Sequence, residues 1–242
     1  MVASSTPWIT VVTPCFNSAS GIEPTLTSVL NQDYSRFDYM VIDGGSTDGT
    51  LDVVRKYSDR LSAVVSEPDR GVYDAMNKAI DLARGDYLLF MNAGDVFASS
   101  LVLAKAASAA HADVVYGDYE YSDGPRKGRV VADIERGVFN HQSILYRKSL
   151  HQTFGRYCAA EGVTAADYLF FMLLRASGVS FHKLDLVFSV VDPYGMSAGL
   201  QTFLQVNLVD CLLGRRGRYA TALRIAIHPV YHFVRSALRR IR

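Results

Sequence analysis

Cysteine is scarce in this 242-residue chain. There are three, Cys15, Cys158 and Cys211, far apart and with no CxxC pair or Cys/His cluster. Neither a disulfide framework nor a zinc site is indicated, and a reducing, cytosolic setting fits best. No uninterrupted apolar run reaches about 18 residues, so no spanning helix is expected. The N-terminus lacks a basic region followed by an apolar run, so no signal peptide is expected. There is no GxGxxG fingerprint and no GxxxxGKS loop, which counts against dinucleotide-binding and P-loop proteins. Internal repeats and low-complexity linkers are also missing.

The composition is globular: 49% of residues are apolar and 20% charged. The length suits one sizeable α/β domain with a short extension. The formal net charge is only +1, but it is unevenly spread. Residues 212–242 hold eight arginines and no Asp, Glu or Lys. The preceding 211 residues hold 17 basic and 24 acidic groups, a balance of −7. An acidic body with a basic arm is expected.

Short apolar runs alternate with helical spacings. Strands are expected at Trp8–Thr13, Tyr39–Ile42, Leu61–Val65, Asp86–Met91 and Asp113–Tyr116. Helices are expected at Ser20–Leu30, from a cap at Thr47 to Tyr57, at Tyr73–Ala83 with Gly85 as the stop, and at Ser99–Ala110. The pattern predicts βαβ units and a mostly parallel sheet, with ligands beyond the carboxyl ends of its strands. Further on, Ser122–Gly128 reads as a polar loop, Val163–Ala176 as a helix and Phe181–Val191 as a strand. Gly199–Leu213 and Tyr219–Leu238 read as terminal helices, the second kinked at Pro229.

Polar clusters fall at the expected strand ends. Asn92-Ala93-Gly94-Asp95 can hold Mg²⁺ or Mn²⁺ against a diphosphate, or be an Asx turn that ends a strand. Asp43-Gly44-Gly45-Ser46 allows close backbone approach and leads to a helix N-terminus; it also reads as an ordinary capped loop. Arg70 suits phosphate oxygens or a surface ion pair. Asp74 and Asn77 share a helix face, as ligand contacts or as caps. Asp167 suits proton abstraction from a hydroxyl, or a first-turn helix position. His141 and Gln142 offer donors, although a lone His is more often structural.

In this order the segments resemble the family 2 inverting glycosyltransferases of the GT-A fold, over roughly Trp8 to Gly199. The resemblance is carried by Thr13-Pro14-Cys15-Phe16-Asn17, Ile42–Thr50, Ser66–Lys78, Asn92–Asp95 and Asp167. It implies an α/β GT-A domain, Rossmann-like, over residues 1–199, with a basic helical extension over 200–242. Pro14, Phe16 and Asp43 would line the nucleoside pocket, with Asn17, Ser46, Asn77, Asn92, Ala93 and Gly94 also on the donor side. Arg70 would approach the diphosphate. Asp95 would hold Mn²⁺ or Mg²⁺, and Asp167 would be the general base. His141, Gln142, Tyr194 and Ser197 would lie near the acceptor or a closing flap.

The implied donor is a UDP-, GDP- or dTDP-linked sugar, and the acceptor a saccharide or lipid-linked hydroxyl of bacterial surface polysaccharide or glycolipid. The sequence departs from the family pattern at Asn92, Gly44 and Ala166, where an acidic residue is frequent. The QxxRW signature of processive relatives is absent, so transfer of a single sugar is expected. A sugar nucleotidyltransferase and a non-catalytic recruitment subunit are the rival readings.

Leu200, Phe203, Leu204, Leu208 and Leu212 follow helical spacing, as do Leu223, Ile227, Val230, Val234 and Leu238. With the arginines, they suit the anionic inner face of a cell membrane, or packing on the domain or on a second subunit of an oligomer. No nucleic-acid partner is expected, because no binding fold accompanies the arginines.

Overall fold

A computed structural model of the chain describes residues 6–123, 126–193 and 199–227. Its centre is a parallel block. The strands are β1 (Ile9–Cys15), β2 (Phe37–Asp43), β3 (Ala63–Ser66) and β4 (Tyr87–Phe90), and their spatial order is β3-β2-β1-β4. Helices α1 (Ile22–Leu30), α2 (Thr50–Arg55) and α3 (Val72–Leu82) make the crossovers. Every residue of β1 and β4 is buried, as expected for strands covered on both faces. Side chains alternate between two cores. Val12, Met40, Ile42, Leu88 and Phe90 face α3, while Ile9, Val11, Tyr39, Val41 and Leu89 face α1. Pro14 lies past the last β1–β4 pair, Val12 with Phe90, so its missing N–H costs the sheet nothing.

Beyond β4 the sheet is mixed. It continues through β8 (Ile144–Arg147), β6 (Val114–Asp123), β9 (Phe181–Val191) and β5 (Val96–Phe97), with β7 (Arg126–Val130) paired to β6. The remaining helices are α4 (Val102–Ser108), α5 (Leu150–Phe154), α6 (Ala166–Ala176) and α7 (Leu200–Leu212). Strand directions matter for function. β8 runs antiparallel to β4, so its first residues lie beside the end of β4. β6 is antiparallel to β8, and β9 is parallel to β6, so β9 ends at that same edge.

Two local expectations are corrected. The described residues of Ser122–Gly128 are strand and not loop: β6 runs to Asp123 and pairs with β7 as far as Asp123 with Arg126. β7 reads RKGRV, a charged ribbon outside the main path of the sheet, so it shows no apolar alternation. Helix α2 is not capped by Thr47. It starts after Gly49, whose φ is +97°, and the Asp48 carboxylate takes the Thr50 amide at 3.0 Å. Pro229 and the second half of the last expected helix lie outside the described residues, although residues 218–227 are helical.

Helix α7 is bonded into the fold. Val209 joins the core beside α6. The Gln205 side-chain oxygen Oε1 accepts the amides of Thr164 (2.8 Å) and Ala165 (3.1 Å), directly before α6. At the far end of α7, buried Asp210 accepts Tyr168 Oη–H at 2.7 Å and pairs with Arg215 and Arg216. The C-terminal segment thus grips the helix that carries Asp167. Replacing Gln205 with Ala leaves two amides without their acceptor. The change should cost about 1–3 kcal/mol in urea unfolding, and an unchanged midpoint would show that this brace does not exist.

Candidate active site

The carboxyl ends of β1 and β2 are laced together. Asn17 adopts a left-handed φ of 46°. Its amide donates to Ser46 Oγ at 2.7 Å, and its side-chain oxygen accepts the Thr47 amide at 3.0 Å. The Ser18 amide donates to Thr50 Oγ1, and the Ala19 amide to Asp48. Phe16 is left exposed above this lacing, an aromatic face open to a planar ligand.

Asp43 is fully buried. It accepts the amides of Gly45 and Ser46 and the hydroxyls of Ser46 and Ser66, with the Cys15 thiol at 3.7 Å. Burial raises its pKa, but these hydrogen bonds outweigh it and hold the carboxyl below its usual range. Burial and the Asp43 charge push the Cys15 thiol far up, so it stays a donor. Asp43 therefore shapes the loop in this structure; its oxygens are occupied by the chain itself. Asp69 was missed in the sequence. A Cβ on Gly44 would sit 2.7 Å from its Oδ2, so the absence of a side chain at Gly44 makes room for that carboxylate. Its place beside Arg70 at the third strand end was the available signal.

Arg70 is held by Asp74, which accepts its backbone amide and its guanidinium, both at 3.1 Å. The Arg70 hydrogen bond keeps Asp74 below its usual range. The Arg70 side chain remains 72% exposed, available to an anionic ligand. Asn77 is engaged elsewhere: its amide brackets the backbone of Tyr157, at 2.9 and 3.0 Å. The structure gives it a bracing position.

At the end of β4, Thr25 of α1 staples the turn, accepting the Gly94 amide and donating to the Asp95 carbonyl. Gly94 takes φ +99° there. Pro14 lies across from this turn, its carbonyl facing the Ala93 amide at 3.4 Å. Asp95 is 6% exposed. It accepts Gln142 Nε2–H at 2.5 Å and the Asp192 amide at 3.0 Å. Burial raises its pKa, and those two donors do not fully offset the rise.

Asn92, His141, Asp167 and Tyr73 form one hydrogen-bonded chain. His141 Nε2 is 3.2 Å from Asn92 Oδ1, and Nδ1 is 2.7 Å from Asp167 Oδ2. Tyr73 Oη–H donates to Asp167 Oδ1 at 2.6 Å. An imidazolium satisfies both acceptors facing His141; a neutral ring requires Asn92 to present its NH₂ group instead. Burial raises the Asp167 pKa. The His141 bond and charge, the Tyr73 bond and the Tyr168 amide outweigh it, so Asp167 stays below its usual range. Burial, then Asp167, drives Tyr73 far upward, so it remains a donor. Tyr73 was missed in the sequence because it meets Asp167 across 94 residues.

The structure thus brings Asn92, Asp95, His141, Gln142 and Asp167 together, while Tyr194 and Ser197 lie outside the described residues. Among those residues no three His, Cys, Asp or Glu converge as metal ligands. Mg²⁺ and Mn²⁺ need fewer, because one or two carboxylates suffice when phosphate and water complete the shell. Asp95 supplies such an oxygen. Beside it, Gln142 Oε1 is buried with no partner among the described residues. This hard-oxygen set fits such a cation.

Because the folded pKa of Asp167 lies below its unfolded value, its ionised form stabilises the fold fully above the ordinary carboxylate range. That contribution is lost as pH falls through the folded value. Replacing His141 with Ala should move the Asp167 titration upward in a ¹³C-carboxyl NMR experiment. An unmoved titration would show that His141 does not hold the charge.

A PGL/p-HBAD biosynthesis glycosyltransferase of Mycobacterium bovis is 35% identical over 162 residues, covering 62% of this chain. The matched segment spans 63% of that relative's length. Staphylococcus aureus ("S. aureus") TarS 1-349 in complex with UDP-GlcNAc shares the fold, with TM-score 0.70, 23% identity, and 84% of this chain and 65% of that one covered. Mannosyltransferase PcManGT from Pyrobaculum calidifontis, in complex with GDP-Man and Mn2+, gives TM-score 0.71 and 21% identity, with 93% and 70% covered. The profile described as glycosyl transferase family 2 matches residues 10–173, and the chain belongs to that family.

Proposed function

We propose that this chain is an inverting, metal-dependent glycosyltransferase. It moves a single sugar from a nucleotide-sugar donor to an acceptor hydroxyl in bacterial polysaccharide or glycolipid assembly. The observation that carries the reading is the Asn92–His141–Asp167–Tyr73 chain. It holds an ionised, largely buried carboxylate beside the strand end that bears Asp95. The mycobacterial relative's name supports glycolipid assembly, and the fold neighbours' UDP-GlcNAc and GDP-Man support a nucleotide-sugar donor.

Asp167 takes the proton from the acceptor hydroxyl as that oxygen attacks the anomeric carbon. The bond from that carbon to the donor diphosphate breaks on the opposite face, and the nucleoside diphosphate leaves with the electron pair. One displacement inverts the configuration. Tyr73 and His141 keep the carboxylate aimed and charged until the proton arrives. On the donor side, Phe16 offers a face for the base, Asn17 and Ser46 set the loop, and Arg70 reaches the diphosphate. Asp95, with Gln142 beside it, would hold Mn²⁺ or Mg²⁺, which when bound neutralises charge on the diphosphate. Without the QxxRW motif of processive relatives, the product is released after one transfer.

Titration calorimetry with UDP, GDP and dTDP, each with and without Mn²⁺, tests the donor site. Binding of one nucleotide that strengthens with metal is expected. No binding of any nucleotide would replace this reading with a non-catalytic one. Asp167→Asn should keep that binding and lower turnover at least 10³-fold, within the range for loss of a general base. Turnover within tenfold of the parent would remove Asp167 from that role.

A further inference from the structure

We infer that the helical residues 218–227 are a docking surface for an anionic lipid bilayer. The first observation is an inverted pattern of exposure. Tyr219, Leu223 and Ile227 are spaced by four, and they lie 51–85% exposed. On the same segment, Thr221 is the buried residue. Leu208 and Leu212 at the end of α7 are exposed as well. A helix that packs on a protein in water buries its large apolar face and exposes its small polar one. Here three large apolar side chains in one row are turned outward, while Thr221 is buried and Ile225 half-buried on the other side.

The second observation is charge. Arg218 and Arg224 stand exposed beside the row. Six further arginines lie in residues 212–242, a stretch without one acidic residue; Arg215 and Arg216 among them are paired with Asp210 of α7. Anionic headgroups attract such a segment, and the apolar row can enter the boundary between headgroups and acyl chains. The remaining 211 residues carry −7 and are repelled by the same surface. Attraction at one end and repelling charge elsewhere orient the molecule. A second copy of the chain is the poorer occupant, because a two-fold contact would set like arginines against each other. Among the described residues no helix is long and apolar enough to cross a membrane, so the contact lies along the surface.

The third observation is rigidity. The segment follows α7, whose Gln205 and Asp210 hold the segment before α6 and Tyr168 within it. Arg224 lies over the Phe203 ring of α7, at 5.7 Å, which ties the exposed row to α7. α7 is in turn fixed relative to Asp167. A bilayer docked on that row would present a lipid-linked hydroxyl at a constant orientation. The inference rests on this surface and stands apart from the donor chemistry.

The test is sedimentation of the full chain with vesicles, at low and high salt. Vesicles of phosphatidylcholine are compared with vesicles containing phosphatidylglycerol. Binding to the anionic vesicles at low salt is expected, at least tenfold weaker to the neutral ones and weakened by salt. The double variant Leu223→Glu, Ile227→Glu should lose binding at least tenfold with an unchanged thermal midpoint. Both positions are exposed, so its folding should survive, and circular dichroism checks that directly. No sedimentation with anionic vesicles overturns the proposal, as does equal binding to both kinds. A concentration-dependent dimer in sedimentation velocity that the double variant abolishes assigns the row to a second copy and likewise overturns it.

Discussion

The candidate site is organised around the cost of keeping one buried carboxylate charged. Asp167 can stay ionised only if donors replace the water it lost. Those donors come from distant parts of the chain: the hydroxyl of Tyr73 on α3, the ring of His141, and the amide of Tyr168. Meeting that requirement constrains the topology. His141 precedes β8, and only an antiparallel β8 sets its first residues beside the end of β4, where Asn92 waits for the ring. A parallel β8 would carry His141 to the far edge of the sheet.

The same polarity argument explains why so many polar residues share one edge. β1, β2, β3 and β4 end there because they are parallel. β9 ends there because it follows the direction of β6, and its continuation delivers the Asp192 amide to Asp95. Sequence-distant loops then need only short side chains to interlock. Asn17 does so between β1 and β2, donating its amide to Ser46 and accepting the amide of Thr47.

The parallel block was legible because its strands are covered on both faces. Covered strands must be apolar almost throughout, and Ile9–Val12 and Tyr87–Phe90 show it without ambiguity. The β6–β7 hairpin was not legible, because its exposed ribbon has no core face to mark it. Asp167 could be singled out as an isolated carboxylate before an aromatic helix. Its partner Tyr73, the Gln142–Asp95 bond and the Gln205 brace could not, since each pairs residues about 40 or more positions apart. Nothing local distinguishes a tyrosine that serves a distant carboxylate from one that fills a core. Asp43 shows the converse: its place at a strand end was legible, but its saturation by five donors was not.

Asp95 and Asp167 lie in the same crevice and are pushed in opposite directions. Both are desolvated, so burial alone does not separate them. The difference is the set of direct contacts. Asp167 has the His141 ring in direct contact, and that contact lowers its pKa by hydrogen bond and by charge. Asp95 has an amide N–H from Gln142 and one from the backbone; His141 acts on it only through space, and Asp192 adds like charge nearby. Asp95 is therefore the carboxylate with more to gain from added positive charge, while the bonds from His141, Tyr73 and the Tyr168 amide already hold Asp167 ionised. Such a division suits a site where one carboxylate receives a proton while the other faces a cation and a diphosphate.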